Sequence, residues 1–156
     1  VGVVWDSHEQ KCTSYFEEHV DALIEHLQKA DLVVGFNIIG FDYTVLRGYS
    51  KFDFKGLNTL DILREIHGRL RYRVSLDSVG KATLDAAKSA DGLMALQWFK
   101  EGRLDLIEAY CRKDVELTRD LFYYALEHSY LLFDRKNEGR MRSPLDWKLE
   151  ELVSSA

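Results

Sequence analysis

The sequence predicts an α/β domain in which a mixed sheet is flanked by helices. Two β-branched or aromatic runs, "VGVVW" and "CTSYF", are separated by the polar "DSHEQK". An amphipathic segment then leads into the short, continuously apolar "DLVVGF". From Leu104 a long apolar stripe repeats at helical spacing. With 156 residues the chain is long enough for one domain with its own core, and a single domain over residues 1–156 is expected.

The elements follow in order. The two opening runs read as an antiparallel hairpin. "FEEHVDALIEHLQKAD" sets Val20, Leu23, Ile24 and Leu27 on one face of a helix, with acidic residues in its first turn. "DLVVGF" is the pattern of a strand covered on both faces in a largely parallel sheet. "FDYTVLRGY" predicts a helix closing near Gly48, and "NTLDILREIHG" another, with Asn58 or Thr59 as N-cap and Gly68 as stop. "SLDSVGKATL" predicts a third, capped by Ser75. The stripe through Ile107, Cys111, Val115, Leu121, Phe122 and Ala125 is the strongest helical signal, and "YLLFDRKNEGRMRS" reads as a terminal hairpin turning at Asn137 to Gly139.

Composition narrows the function classes. Cys12 and Cys111 stand apart without paired spacing, which suggests neither a disulfide framework nor a thiolate zinc site. No apolar run approaches the roughly 20 residues that span a bilayer, so a cytoplasmic protein without a membrane partner is expected. The net charge of −5 argues against a generic basic nucleic-acid coat but not against a nuclease that gathers carboxylates around divalent ions. The basic residues concentrate in "REIHGRLRYRV", where Arg64, Arg69, Arg71 and Arg73 face Glu65 alone; a solvated helix surface gives the same pattern.

Two carboxylates stand out. Asp42 follows the apolar run "LVVGF", where open α/β sheets place their binding crevices; a charge at a helix N-terminus is the bland alternative. Tyr110 and Asp114 lie four apart in the long helix and so share a face, Asp114 near the edge of the apolar stripe. A carboxylate there needs a cation, a donor or a metal; a surface Asp beside a half-buried Tyr is the competing reading. Asp61 reads as a dipole partner in a first helical turn, the five histidines as surface or helix-face residues, and Trp98, Phe99 and Trp147 as packing.

Taken together, "N-x-x-x-F-D" at 37 to 42 and "Y-x-x-x-D" at 110 to 114 resemble the second and third motifs of the DEDD-type 3′–5′ exonucleases. The likeness is to the tyrosine subclass of that ribonuclease H-like family, as in the exonuclease domains of family B DNA polymerases and their stand-alone bacterial relatives. The other subclass carries a histidine where this chain has Ala109. The resemblance implies a ribonuclease H-like fold and a two-metal hydrolysis of phosphodiester bonds at DNA 3′ ends, with Mg²⁺ or Mn²⁺ as cofactor. It implies Asp42 and Asp114 as metal ligands and Tyr110 as the group that orients the attacking water and helps to take its proton. Asn37 would hold the 3′ end, Phe41 would stack on a base, and Arg69 and Arg71 would contact the strand. For Phe41 by itself, packing beneath the helix is the favoured reading. Single-stranded DNA is the expected partner, RNA is not excluded, and a helicase or polymerase is a further candidate.

The family pattern also requires Asp-x-Glu on a leading strand, two carboxylates on one strand face. It is not found. Asp6 and Glu9 in "WDSHE" would point to opposite faces, and their position favours a hairpin turn. The chain opens at Val1 in a strand-like run, which sets up two expectations: a first strand upstream of Val1, or a domain that keeps the fold without the metal chemistry. The second makes the chain a non-catalytic nucleic-acid-binding module attached to a larger replication or repair protein.

Overall fold

A computed structural model describes residues 1–86 and 92–154. The fold is mixed α/β, with its strands joined in three two-stranded sheets and seven α-helices among the described residues. The opening hairpin is β1 (Gly2–Asp6) against β2 (Lys11–Tyr15), antiparallel with Val4 opposite Thr13. A turn of 3₁₀ helix at Glu17–His19 leads into α1 (Val20–Gln28), which buries Leu23, Ile24 and Leu27 as the 3.6-residue period requires.

β3 (Val33–Gly35) pairs in parallel with β4 (Thr59–Asp61), Val33 opposite Thr59 and Gly35 opposite Asp61. Between them run a π-helical turn at Ile38–Asp42, the short α2 (Tyr43–Leu46) and a 3₁₀ turn at Phe54–Gly56. The expected helix from "FDYTVLRGY" is therefore a wide turn followed by one α-turn. The segment "NTLDILREIHG" also divides: Thr59–Asp61 is strand, Asp61 is the N-cap, and α3 (Ile62–Leu70) continues past Gly68 to a left-handed Arg71. Gly68 fails as a stop because the helix face it lies on is exposed and nothing there requires the chain to turn.

α4 (Leu76–Leu84) is capped by Ser75, whose hydroxyl accepts the Ser78 N–H at 3.1 Å. α5 (Gly92–Lys100) is a helix that the periodicity did not single out, and its Phe99 is 68% exposed rather than packed. α6 (Leu104–His128) is the long helix, lying across β1, β3, α4, α5 and β5 (Tyr130–Arg135). α4 approaches it so closely at Gly80 that a Cβ there would meet the Leu117 side chain at 2.8 Å. β5 and β6 (Gly139–Pro144) form the terminal hairpin through left-handed Asn137 and Gly139, and α7 (Leu149–Ser154) ends the described chain.

The β3–β4 pair separates two apolar cores. Leu23, Ile24, Leu27, Val33, Tyr43 and Phe54 fill one side, and Leu60, Ile62, Ile66, Leu121, Phe133 and Trp147 belong to the other. Trp147 thus packs as expected.

One histidine is more than a helix-face residue. His26 Nδ1 lies 2.7 Å from the Tyr15 hydroxyl and its Nε2 2.7 Å from Asp6 Oδ2, so a three-residue chain ties the hairpin to α1. Asp6 also accepts the N–H groups of His8 and Glu9, which fixes it as a turn residue at the end of β1. The His26 contact, then these backbone donors, hold the Asp6 carboxyl below its ordinary range. A depressed carboxylate contributes stability above its unfolded value and loses it as pH falls through the folded one. Asp6→Ala is expected to cost about 2 kcal/mol at pH 7. In thermal melts at descending pH, the gap to the parent protein closes below about pH 4.

Candidate functional site

The segment that leaves β3 is held by one buried carboxylate. Asp61, 4% exposed, accepts the backbone N–H of Asn37 at 2.8 Å, of Ile39 at 3.1 Å and of Leu63 at 3.1 Å. It is both the N-cap of α3 and the clamp on the turn that carries Asn37, Phe41 and Asp42. Asp61 is thus the residue whose importance sequence reasoning missed. Its signal was present, an Asp opening an amphipathic helix, but the second partner lies 24 residues away in the chain.

Asn37 adopts a left-handed backbone, φ 59°, which Asn tolerates better than other side-chain-bearing residues. Its carbonyl accepts the Phe41 N–H at 3.0 Å, and the Tyr43 N–H closes the wide turn on the Ile38 carbonyl. Gly40 gives the Asn37 amide its room, since a Cβ there would stand 2.7 Å from Asn37 Oδ1 and move that side chain. Phe41 is 62% exposed, which corrects the packing reading: the π-turn rotates its ring away from the core and leaves Tyr43 to fill the space beneath.

Asp42 closes the turn. Asp42 is an exposed residue by accessible surface, yet protein atoms crowd around its carboxyl, and this desolvation pushes its pKa up to about 6. A hydrogen bond from its own backbone opposes the shift, and repulsion from Asp61 adds to it.

On α6, Tyr110 and Asp114 meet as the four-residue spacing demands, and both are half-buried. Desolvation, then the charges of Asp114 and of Asp77 on α4, and a hydrogen bond to Asp114, push the Tyr110 phenol up to about 12. Tyr110 is therefore a neutral donor at physiological pH. Trp98 of α5 meets it edge-on, ring centroids 6.3 Å apart. One residue further, Cys111 joins the two motifs. Its thiol is raised chiefly by burial and is acted on by Asp114, by Asp42 and by the amino group of Val1. The Cys111 Sγ lies 3.9 Å from the Val1 carbonyl, so the start of β1 sits here and Asp6, at the strand's other end, does not.

The basic segment is divided. Arg69 pairs with Asp146 at 2.7 Å, and both it and Arg71 lie at the far end of α3 from Asp61, roughly 12 Å along the helix. Arg73 instead lines a shallow cleft of about 430 Å³ with Phe36, Asn37, Leu63 and Ser75. Among the described residues, no three His, Cys, Asp or Glu side chains are grouped to hold a metal ion.

A family model described as RNase_H superfamily matches residues 1–126, from β1 to near the end of α6. The chain belongs to the ribonuclease H superfamily. No curated protein and no solved structure matches it. Membership in the ribonuclease H superfamily suggests nuclease chemistry, and such nucleases usually employ divalent metals. No helix among the described residues is long and apolar enough to cross a membrane.

Two outcomes follow from the carboxylates. Asp61→Ala leaves three backbone donors without their anionic acceptor and is expected to cost about 3 kcal/mol or more in urea unfolding, with Asp61→Asn losing less. Asp42 carries the opposite sign. Its folded pKa lies above the unfolded one, so stability falls as pH rises from about 4 to about 6 and the cost persists above that. In EDTA, Asp42→Asn is expected to stabilise the protein at pH 7 by on the order of 1 kcal/mol after allowance for solvent screening, and to have no effect near pH 4.

Proposed function

We propose that the chain is a metal-dependent 3′–5′ exonuclease domain of the tyrosine DEDD subclass, acting on DNA 3′ ends and spanning the sequence as one domain. The observation that carries this reading is the hydrogen-bonded Tyr110–Asp114 pair, which shares with Asp42 a common electrostatic neighbour in Cys111. Motifs far apart in sequence thus come within electrostatic reach of one thiol, which supports a shared site. Superfamily membership supports the reading independently.

Asp42 and Asp114 are hard oxygen donors, which fits Mg²⁺ or Mn²⁺ better than softer ions. When bound, such ions supply an activated water and stabilise the leaving oxygen of the scissile bond. The chain's own residues do the positioning. Tyr110, its O–H given to Asp114, accepts a hydrogen bond from the attacking water and so fixes it beside Asp114, and the proton leaves toward solvent or a carboxylate. Asn37 presents its amide where the turn opens, and Phe41 offers an exposed ring for a terminal base. Arg69 and Arg71 act in this reading as outlying charges that steer the strand.

A second reading has its own observation. Two carboxylates are few for two ions, and the described residues hold no larger group of metal ligands. A non-catalytic nucleic-acid-binding module attached to a larger protein fits that fact.

The test is release of nucleotides from 5′-labelled single-stranded DNA with Mn²⁺. The exonuclease reading expects a ladder shortening from the 3′ end, abolition by EDTA, and a loss of about 10³-fold or more in Asp114→Asn. Tyr110→Phe is expected to lose about 10² in kcat with KM nearly unchanged. Undiminished cleavage by Asp114→Asn rejects the assignment. Tight, metal-independent DNA binding without any cleavage favours the module.

A further inference from the structure

A second cleft, of about 550 Å³, opens on the other side of the π-turn from Asn37, between α2 and the start of α3. Arg47, Lys55 and Arg64 reach it from three separate segments. Arg47 is the C-cap of α2, Lys55 lies in the 3₁₀ turn and Arg64 in the first turn of α3. All three are exposed, and none takes part in an ion pair among the described residues. Elsewhere Arg69, Arg103, Arg112, Arg119, Arg135 and Arg140 are each matched to a carboxylate.

Arg71, Arg73 and Arg142 also form no ion pair among the described residues, so what sets these three apart is that they converge on one cleft in a chain whose net charge is −5. Three cations facing one cleft repel one another, and Arg64 stands in a first helical turn, where the macrodipole disfavours positive charge. The nearby carboxylates do not relieve them. Asp61 is engaged with three backbone N–H groups, and Asp53 accepts the Lys55 backbone N–H at 3.0 Å. The floor is firm: Tyr43 stacks on Phe54 with centroids 4.9 Å apart, and its hydroxyl is 2.7 Å from the Thr59 hydroxyl. A preformed, cationic cleft with no internal anion is complementary to an anion brought from outside.

We infer that this cleft is a phosphate-binding subsite for the backbone of a single-stranded nucleic acid whose end lies at Asp42. The inference rests on the nucleic-acid reading above. Its geometry supplies the link: Ile39 and Gly40 line the cleft and run directly into Phe41 and Asp42. A strand stacked on Phe41 therefore passes the cleft within a few residues of the same turn. The two guanidinium groups grip phosphate oxygens in a bidentate fashion, and Lys55 adds a point charge between them.

The experiment is fluorescence anisotropy of a fluorescein-labelled ~16-nucleotide oligo-dT with the full chain, in EDTA so that no hydrolysis occurs, over a salt series. Arg47→Ala with Arg64→Ala is compared with Arg135→Ala with Arg140→Ala on the terminal hairpin, pairs that remove equal charge. The cleft pair is expected to weaken binding about tenfold or more and to flatten the salt slope by about 1.4, the share of two single-strand phosphate contacts. The distal pair is expected to lose no more than about threefold. Lys55→Glu, on a turn rather than a helix, is expected to weaken binding by a similar factor to the cleft pair.

Equal losses from the two pairs overturn the inference, because only net charge would then matter. Equal affinity for a labelled polyglutamate, lost in the same variants, also overturns it and assigns the cleft to an acidic protein. The two proposals fail separately. Selective loss of oligonucleotide binding in a chain that never cleaves with Mn²⁺ keeps the subsite and rejects the exonuclease. Cleavage that needs Asp114, with no selective loss, does the reverse.

Discussion

The Asp61 carboxylate is the constraint on which the candidate site depends. It ends β4, caps α3 and gathers the backbone of the turn that leaves β3, so one side chain joins two strand ends to a helix start. Each N–H it accepts is a backbone donor at a chain reversal, and a donor of this kind, buried without an acceptor, costs more than an ordinary hydrogen bond contributes. The parallel β3–β4 pair is only three residues long, too short to fix the loop by itself. Fixing by a buried anion makes the turn stiff enough to hold Asn37 at a positive φ and Asp42 in a desolvated place.

The second half of the site is held differently. Tyr110 and Asp114 sit within a 25-residue helix that packs on several strands and helices, so their positions are inherited from the core. Gly80 allows α4 to lie against α6, and that approach brings the Asp77 charge to bear on the Tyr110 phenol. A polar pair lies on a rigid helix and a carboxylate on a clamped turn. Each is set by a part of the fold the other does not share, and Cys111 is the point where their fields overlap.

Much of this was legible in the sequence where the pattern was long. The opening hairpin, α1, the Ser75 cap, α6 and the terminal hairpin follow from periodicity and turn residues. β4 was not legible because "TLD" is three residues joined without a break to an amphipathic helix, and its strand character comes from pairing with β3. The exposure of Phe41 was hidden for a related reason: a π-turn displaces every following side chain from the face an α-helix would give it. Asp42, Tyr110 and Asp114 could be picked out by type and spacing, but the state of the phenol could not. Its rise depends first on burial, then on Asp114 and on Asp77, and no spacing rule gives the burial or brings Asp77 to α6.

The neutral phenol constrains any chemistry at this site. With a pKa pushed up to about 12, Tyr110 can give a hydrogen bond at neutral pH but cannot hold a proton taken from water, since its oxygen already carries one. Its partner Asp114 is the acceptor in that bond, so replacing the hydroxyl leaves the carboxylate with one fewer donor. A positioning hydroxyl of this kind acts on the rate through the orientation of what it touches, whereas a base acts through its own titration. The basic cleft beside the turn has the complementary role. It adds no group to the chemistry, and supplies attraction along the strand where the acidic site itself repels the phosphates it must approach.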